Sequence, residues 1–195
     1  MPTPHLIEIA MVRQDLDGLP VASLPQGFSL RSWHDGDLAT WLRIQCEADK
    51  LQHVTEGTFR FFYGHDEAEF RRRILFLLDG QEHEIGTASA WLAEPSYGRD
   101  YSRVHWVAIV PAMQGRGLAR PLMVAVLRRM KELGHSKAYL TTESARAVAI
   151  RLYRSMGFVP MPRSEEERKV WKESDDLTPA CGRAGHPSPL GQGRT

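Results

Sequence analysis

The stretch from Val104 to Leu133 restricts the fold more than any other part of the chain. Val104 to Val110 carries almost no polar residue. As a strand it has no face to offer to water, so it belongs in the middle of a sheet that is covered on both sides. Pro111-Ala112-Met113 and then Gln114-Gly115-Arg116-Gly117-Leu118-Ala119 follow at once. Beyond them Leu118, Leu122, Val126, Leu127, Met130 and Leu133 recur at helical spacing, and Gly134 ends the pattern. Pro121 is acceptable in the first turn, where its missing N–H has no carbonyl to bond. A buried strand that turns over a glycine loop into an amphipathic helix calls for a mixed α and β domain.

The other segments supply elements around that unit. Leu6 to Val12 reads as a peripheral strand within an N-terminal extension, residues 1–27, which closes with Pro20, Pro25 and Gly27. Phe28 to Trp33 alternates as a strand. Asp35-Gly36-Asp37 starts a helix carried by Leu38, Trp41, Leu42 and Ile44 to Cys46. Leu51 to Gly64, with Phe59, Phe61, Phe62 and Tyr63, is ambiguous, a loop packed over a site being one reading. Glu67 to about Arg73 reads as a helix capped by Asp66. Ile74 to Leu78 and Ile85 to Leu92 flank the hairpin signal Asp79-Gly80. After the central helix come a strand from Ala138 to Thr142 and a helix marked by Ala145, Val148, Ala149, Leu152 and Met156, stopped at Gly157. Phe158 and Val159 open a further strand, and Arg168 to Lys172 reads as a last one. From Asp175 onward Pro and Gly dominate, and residues 175–195 read as a flexible tail that cannot pack a core. The main domain is therefore placed at residues 28–174.

Composition narrows the function by exclusion. A chain of 195 residues suits one domain. With 25 basic and 24 acidic residues the net charge is +1, which gives no pull toward nucleic acid or an anionic membrane. No stretch approaches the ~20 apolar residues of a membrane helix, and Glu8 and Arg13 interrupt any signal-peptide core. Cys46 and Cys181 are far apart, so a reducing, cytoplasmic setting is expected. The histidines show no ligand spacing, and no metal site is expected. A symmetric homodimer is allowed, though no feature requires one.

The loop carries the chemistry. Gly115 and Gly117 let the backbone approach a ligand. The free N–H groups at the helix start favour negative charge, and Arg116 and Arg120 add cations. Together they make a seat for a pyrophosphate. A nucleotide P-loop is excluded, because no Gly-Lys-Ser/Thr follows at the required distance. A dinucleotide fingerprint fits Gly115 and Gly117 but finds Arg120 at its third glycine, and leaves a weaker, oxidoreductase alternative.

Gln-x-x-Gly-x-Ala behind an apolar strand and a proline resembles the GNAT superfamily of N-acetyltransferases. Val107-Ala108-Ile109-Val110-Pro111 looks like its fourth strand. Ala149-Ile150-Arg151-Leu152-Tyr153 with Met156-Gly157-Phe158 looks like its second motif, and Gly86-Thr87-Ala88 with Ala90-Trp91 like its third strand. The likeness is clear over residues 100–160. It departs at Arg146, where the family often carries an Asn that contacts the cofactor.

The resemblance implies one domain with a central mixed, mostly antiparallel twisted sheet of six to seven strands, flanked by about four helices. It implies acetyl-CoA as co-substrate, and direct transfer of its acetyl group to a primary amine of a small molecule or peptide. The pantetheine arm is expected on the backbone of Val107, Ala108 and Ile109. The pyrophosphate is expected on Gln114, Gly115, Arg116, Gly117, Leu118, Ala119 and Arg120, with Ala149 and Leu152 also at the cofactor. An N–H near Val107 or Ala108 would hold the thioester oxygen, and Tyr153 would give a proton or hydrogen bond to the leaving thiolate. His105 shares a strand face with Val107 and Ile109 under period-2 alternation, which makes it a candidate base. A non-catalytic acyl-CoA sensor of the same fold is the rival within the family. The aromatics Trp33, Trp41, Phe59, Phe61, Phe62, Tyr63 and Trp91 are read as core before acceptor pocket, and Arg71-Arg72-Arg73 as a solvated face.

Overall fold

The computed structural model describes residues 7–49 and 53–176. Seven strands form one sheet: β1 (Glu8–Arg13), β2 (Ser29–Ser32), β3 (Ile74–Leu78), β4 (Glu84–Leu92), β5 (Tyr101–Ile109), β6 (Lys137–Glu143) and β7 (Val159–Pro160). Their order across the sheet is β2-β3-β4-β5-β6-β1-β7. Among the described residues only β5 and β6 are parallel; every other neighbouring pair is antiparallel. Six helices accompany them: α1 (Leu38–Ala48), α2 (Glu56–Tyr63), α3 (Glu67–Arg73), α4 (Ala119–Glu132), α5 (Ala147–Ser155) and α6 (Glu165–Asp176).

The sheet is covered on both faces. On β3, Phe76 lies against Trp33, and Trp33 in turn meets Phe59 of α2 and Phe70 of α3. Its neighbour Leu75 points the other way and borders a recess with Ala125 and Arg128 of α4. Helix α4 buries Leu122, Met123, Val126, Leu127 and Met130, which is the apolar stripe the spacing implies. The helix ends at Gly134, whose φ of 86° a side-chain-bearing residue adopts only at a cost.

Three segments depart from expectation. The strand of the N-terminal extension is not peripheral: β1 lies inside the sheet, antiparallel to β6 from Glu8 opposite Glu143 to Arg13 opposite Ala138, with β7 on its other edge. Ile9, Ala10, Met11 and Val12 are all buried, so this run serves both faces. Arg13 then donates to the Met156 carbonyl and fastens β1 to the turn after α5. Residues 168–172 form no strand. They belong to α6, where Ser164 Oγ accepts from the Glu167 N–H at 3.1 Å and Glu165, Glu166 and Glu167 suit the positive end of the helix dipole. Residues 56–63, in the ambiguous stretch for which a loop over a site is one reading, fold as α2 because Thr55 and Thr58 cap its start reciprocally at 3.2 Å. The additional helices beyond the expected four are thus α2 and α6. Of the expected tail, residues 175–195, Asp175 and Asp176 end α6, and the rest, with Cys181, lies outside the described residues. Among those described, no helix is long and apolar enough to cross a membrane, and no group of His, Cys, Asp and Glu could hold a metal ion.

Candidate active site

The site is built on the unequal pairing of β5. Tyr101, Ser102 and Arg103 pair with Lys137, Ala138 and Tyr139 of β6, and there the parallel ladder stops. From Val104 to Ile109 only β4 is bonded, while β6 continues beside β1. The two parallel strands therefore part and leave a cleft edged by the second half of β5.

A bulge sits in that half. Thr87 stands opposite Ala108 but Ser89 stands opposite His105, so Trp106 and Val107 together face Ala88. Trp106 takes φ of 49°, a left-handed value that costs a bulky residue roughly 1–2 kcal/mol. Beyond the bulge β4 and β5 come unusually close. A Cβ on Gly86 would lie 2.9 Å from the Ala108 oxygen, which is why that position must be glycine. The Val110 N–H donates to the Ile85 carbonyl at 2.9 Å. By alternation the backbone of Ala108 also faces β4, while Val107 and Ile109 turn theirs toward the cleft. Of the three residues expected to pair with a pantetheine arm, Val107 and Ile109 have the matching orientation, and Ala108 is engaged with β4.

The strand leads directly into the glycine loop. Gln114 Nε2 donates to the Ile109 carbonyl at 2.8 Å and folds the loop back on the strand end. Gly115 and Gly117 both have φ of 75°, and space around each is open. The N–H groups from Gly115 to Arg120 make no backbone hydrogen bond among the described residues. Several consecutive donors at the start of a 14-residue helix form a site that favours an anion. Arg120 Nη1 reaches Ser155 Oγ at 3.2 Å and joins this start to the end of α5, the helix that carries Ala149, Leu152 and Tyr153.

Tyr153 is buried, with its ring 6.2 Å from Phe158. Burial raises its phenol above the ordinary 10.0, against a smaller opposing effect of the Arg146 charge. It therefore keeps its proton at neutral pH and is suited to donate a hydrogen bond. Arg146, in the place of the family's Asn, pairs with Glu143 at 3.1 Å and with Asp49 at 2.7 Å, linking the start of α5 to the end of α1.

His105 does not share its setting with Val107 and Ile109. The bulge at Trp106 breaks the alternation that would align them. The imidazole instead packs against Phe62 at 5.2 Å and Tyr63 at 5.4 Å, on the α2 side of the sheet. Burial, and then the charge of Arg103, hold it well below 6.5, so it stays neutral. Trp33, Trp41, Phe59, Tyr63 and Trp91 are buried core, as expected for most of these aromatics, whereas Phe61 is 82% exposed. Arg73 departs from the solvated face. It is buried, paired with Glu69, and donates to the Ala90 carbonyl at 3.2 Å.

Two features of the site were not read from the sequence. The left-handed Trp106 has no local signal, because bulges of this kind normally use glycine. Gln45 lies among apolar residues of α1, yet it is buried, and its Nε2 donates to the Trp106 carbonyl at 3.0 Å.

This geometry meets its counterpart among known proteins. The model of the acetyltransferase (GNAT) family matches residues 36–158, which include β5, the glycine loop and α5. The chain belongs to the GNAT acetyltransferase family. Relatives include a mycothiol acetyltransferase of Corynebacterium aurimucosum, 35% identical over 82% of this chain and 54% of that protein. Another, of Renibacterium salmoninarum, is 32% identical over 72% of this chain and 43% of that protein. The chain thus spans about half the length of the curated relatives it matches. Among solved structures, a GCN5-related N-acetyltransferase from Sphaerobacter thermophilus superposes with a TM-score of 0.68 at 20% identity, over 82% of this chain and 50% of that one. That likeness bears on the fold, and the GNAT assignment rests on the family model and the mycothiol acetyltransferase relatives.

Proposed function

We propose that this GNAT chain transfers the acetyl group of acetyl-CoA to a primary amine of a small molecule. The observation that carries the proposal is the half-paired β5, whose open edge runs straight into a loop of unpaired N–H groups. An extended chain of amides that ends in a pyrophosphate matches that sequence of donors and acceptors, and coenzyme A has this build. The mycothiol acetyltransferase relatives favour a small molecule over a peptide as acceptor.

In the proposed reaction the free amine attacks the thioester carbon. The Val107 N–H receives the oxygen as it gains charge. As the tetrahedral intermediate collapses, the C–S bond breaks and Tyr153 hydrogen-bonds or protonates the departing sulfur. The amine proton passes through water to His105, whose ring lies on the α2 side of the sheet; burial and the Arg103 charge disfavour its charged form, so it relays the proton rather than keeps it. Arg116 and Arg120 add charge to the pyrophosphate seat, and Ala149 and Leu152 of α5 line the cofactor. The cytoplasmic setting rests on the two distant cysteines.

Thermal melting separates the candidates. Excess acetyl-CoA is expected to raise the melting temperature, since a ligand at a hundred times its Kd stabilises the fold by ~2.7 kcal/mol. NADH is expected to leave it unchanged. A rise with NADH alone would reverse the assignment in favour of a dinucleotide. A rise with acetyl-CoA but no thiol release across a panel of primary amines would favour a non-catalytic acyl-CoA sensor.

A further inference from the structure

The bulge in β5 is a costly conformation held by side chains from elsewhere. Two consecutive carbonyls at this point are each engaged by a buried donor. Ser89 Oγ donates to the His105 carbonyl at 3.1 Å, and since its one proton is used there, the Tyr63 hydroxyl donates to Ser89 Oγ at 2.5 Å. Gln45 Nε2 donates to the Trp106 carbonyl at 3.0 Å. A carbonyl oxygen can only accept, so the Gln45 amide must present its nitrogen. The indole of Trp106 is packed against Trp41 at 5.3 Å and Phe62 at 5.5 Å, which keeps the residue in its left-handed state.

The Trp106 carbonyl and the Val107 N–H belong to one peptide unit. No cis peptide bond is present among the described residues, and in a trans peptide these two groups point in opposite directions. Whatever holds the Trp106 oxygen therefore aims the Val107 N–H. Without its donor the oxygen would be a buried acceptor without a partner, and rotation of the peptide would be the cheapest relief. That rotation would carry the N–H away from its direction.

We propose that Gln45 is a positioning residue for acetyl transfer: by holding the Trp106 carbonyl toward α1 it aims the Val107 N–H at the thioester oxygen in the cleft between β5 and β6. This rests on the acetyl-CoA assignment above. Gln45 touches neither substrate nor cofactor. It acts through the peptide unit that does, and it arrives from α1, some sixty positions away in the chain.

The test reads the hydrogen bond itself. Acetyl-CoA carrying ¹³C at the acetyl carbonyl is bound to the protein, and the thioester stretch is recorded by difference infrared spectroscopy. Wild type is expected to shift the stretch to lower frequency relative to acetyl-CoA in water. Gln45→Met keeps the volume and removes the donor, and is expected to lose most of that shift. In thiol-release assays its kcat is expected to fall by about ten- to a hundredfold, below the ~10²–10³ for deleting an oxyanion donor outright, while KM for acetyl-CoA stays within about twofold. Gln45→Leu serves the same purpose should Gln45→Met fail to fold. A wild-type shift that both folded variants retain would overturn the proposal and leave the acetyltransferase assignment standing. A wild type that neither melts higher with acetyl-CoA nor shifts the stretch would remove the assignment and this proposal with it.

Discussion

The two halves of β5 are one continuous strand with opposite duties. Ser102 and Arg103 are bonded on both edges, to β4 and to β6, and Tyr101 to β6. Here the buried hydroxyl is spent on the fold: Ser102 is fully buried and its Oγ donates to the Trp91 carbonyl at 2.7 Å. Val104 to Ile109 is bonded on one edge by β4, carries the bulge, and turns the Val107 backbone toward the cleft, while the Ile109 carbonyl accepts from Gln114 Nε2. The first half shows what a satisfied strand looks like. The second shows a strand kept partly unsatisfied by its surroundings, with an orphan edge that a ligand can complete. Under the proposed function, recognition is created by withholding a neighbour, and the bonded half, with α4 and α1 packed on the sheet, supplies the rigidity that keeps the cleft from closing.

Three substitutions probe this contrast. The largest effect is expected at the cleft. Tyr153→Phe should lower kcat by about a hundredfold, within the range of a lost general acid, while acetyl-CoA raises the melting temperature as in wild type. Wild-type turnover in this variant would take Tyr153 out of the mechanism. In the bonded half Ser102→Ala should behave in the opposite way. It removes a buried hydrogen bond and leaves the Trp91 carbonyl short of a donor, for a loss of ~1 kcal/mol seen by denaturant unfolding, with kcat unchanged. A kinetic defect there would blur the division between the halves.

The smallest effect lies at the junction, at His105. Its folded pKa is depressed below the unfolded 6.5, so as pH falls the unfolded chain takes up the proton first. Stability is complete above about pH 6.5 and declines between that value and the folded pKa. His105→Gln removes the titrating group and should flatten this decline in melting temperature against pH. The same variant decides the base role, since an unchanged pH–rate profile would make His105 a structural residue only.

Much of the fold was legible along the chain. The apolar run of β5, the glycine loop and the stripe of α4 are local patterns, and each folds as its periodicity implies. The Gln114 to Ala119 and Ala149 to Phe158 motifs led to the family for the same reason, since backbone approach and helix phase are written in neighbouring residues. The misread segments are those whose outcome depends on a distant partner. Ile9 to Val12 is an apolar run whose place inside the sheet follows from the free edge of β6 more than a hundred residues later. Residues 168–172 are short enough to read as strand until Glu167, Val170 and Trp171 are seen as one helical face, with Glu167 and Trp171 buried.

By itself the sequence determined the class of the domain and the strand-loop-helix frame that holds Gly115, Gly117 and the helix of Tyr153, because these depend on spacing within one or two turns. Tertiary structure alone decided where β5 and β6 part, which of Val107 and Ala108 faces the cleft, and that Gln45 holds the bulge. Those features arise from a register shift of one residue against β4 and from a hydrogen bond between α1 and β5. Register and long-range hydrogen bonds are set by the competition of all strands and helices for one another's edges, and no local pattern records how that competition ends.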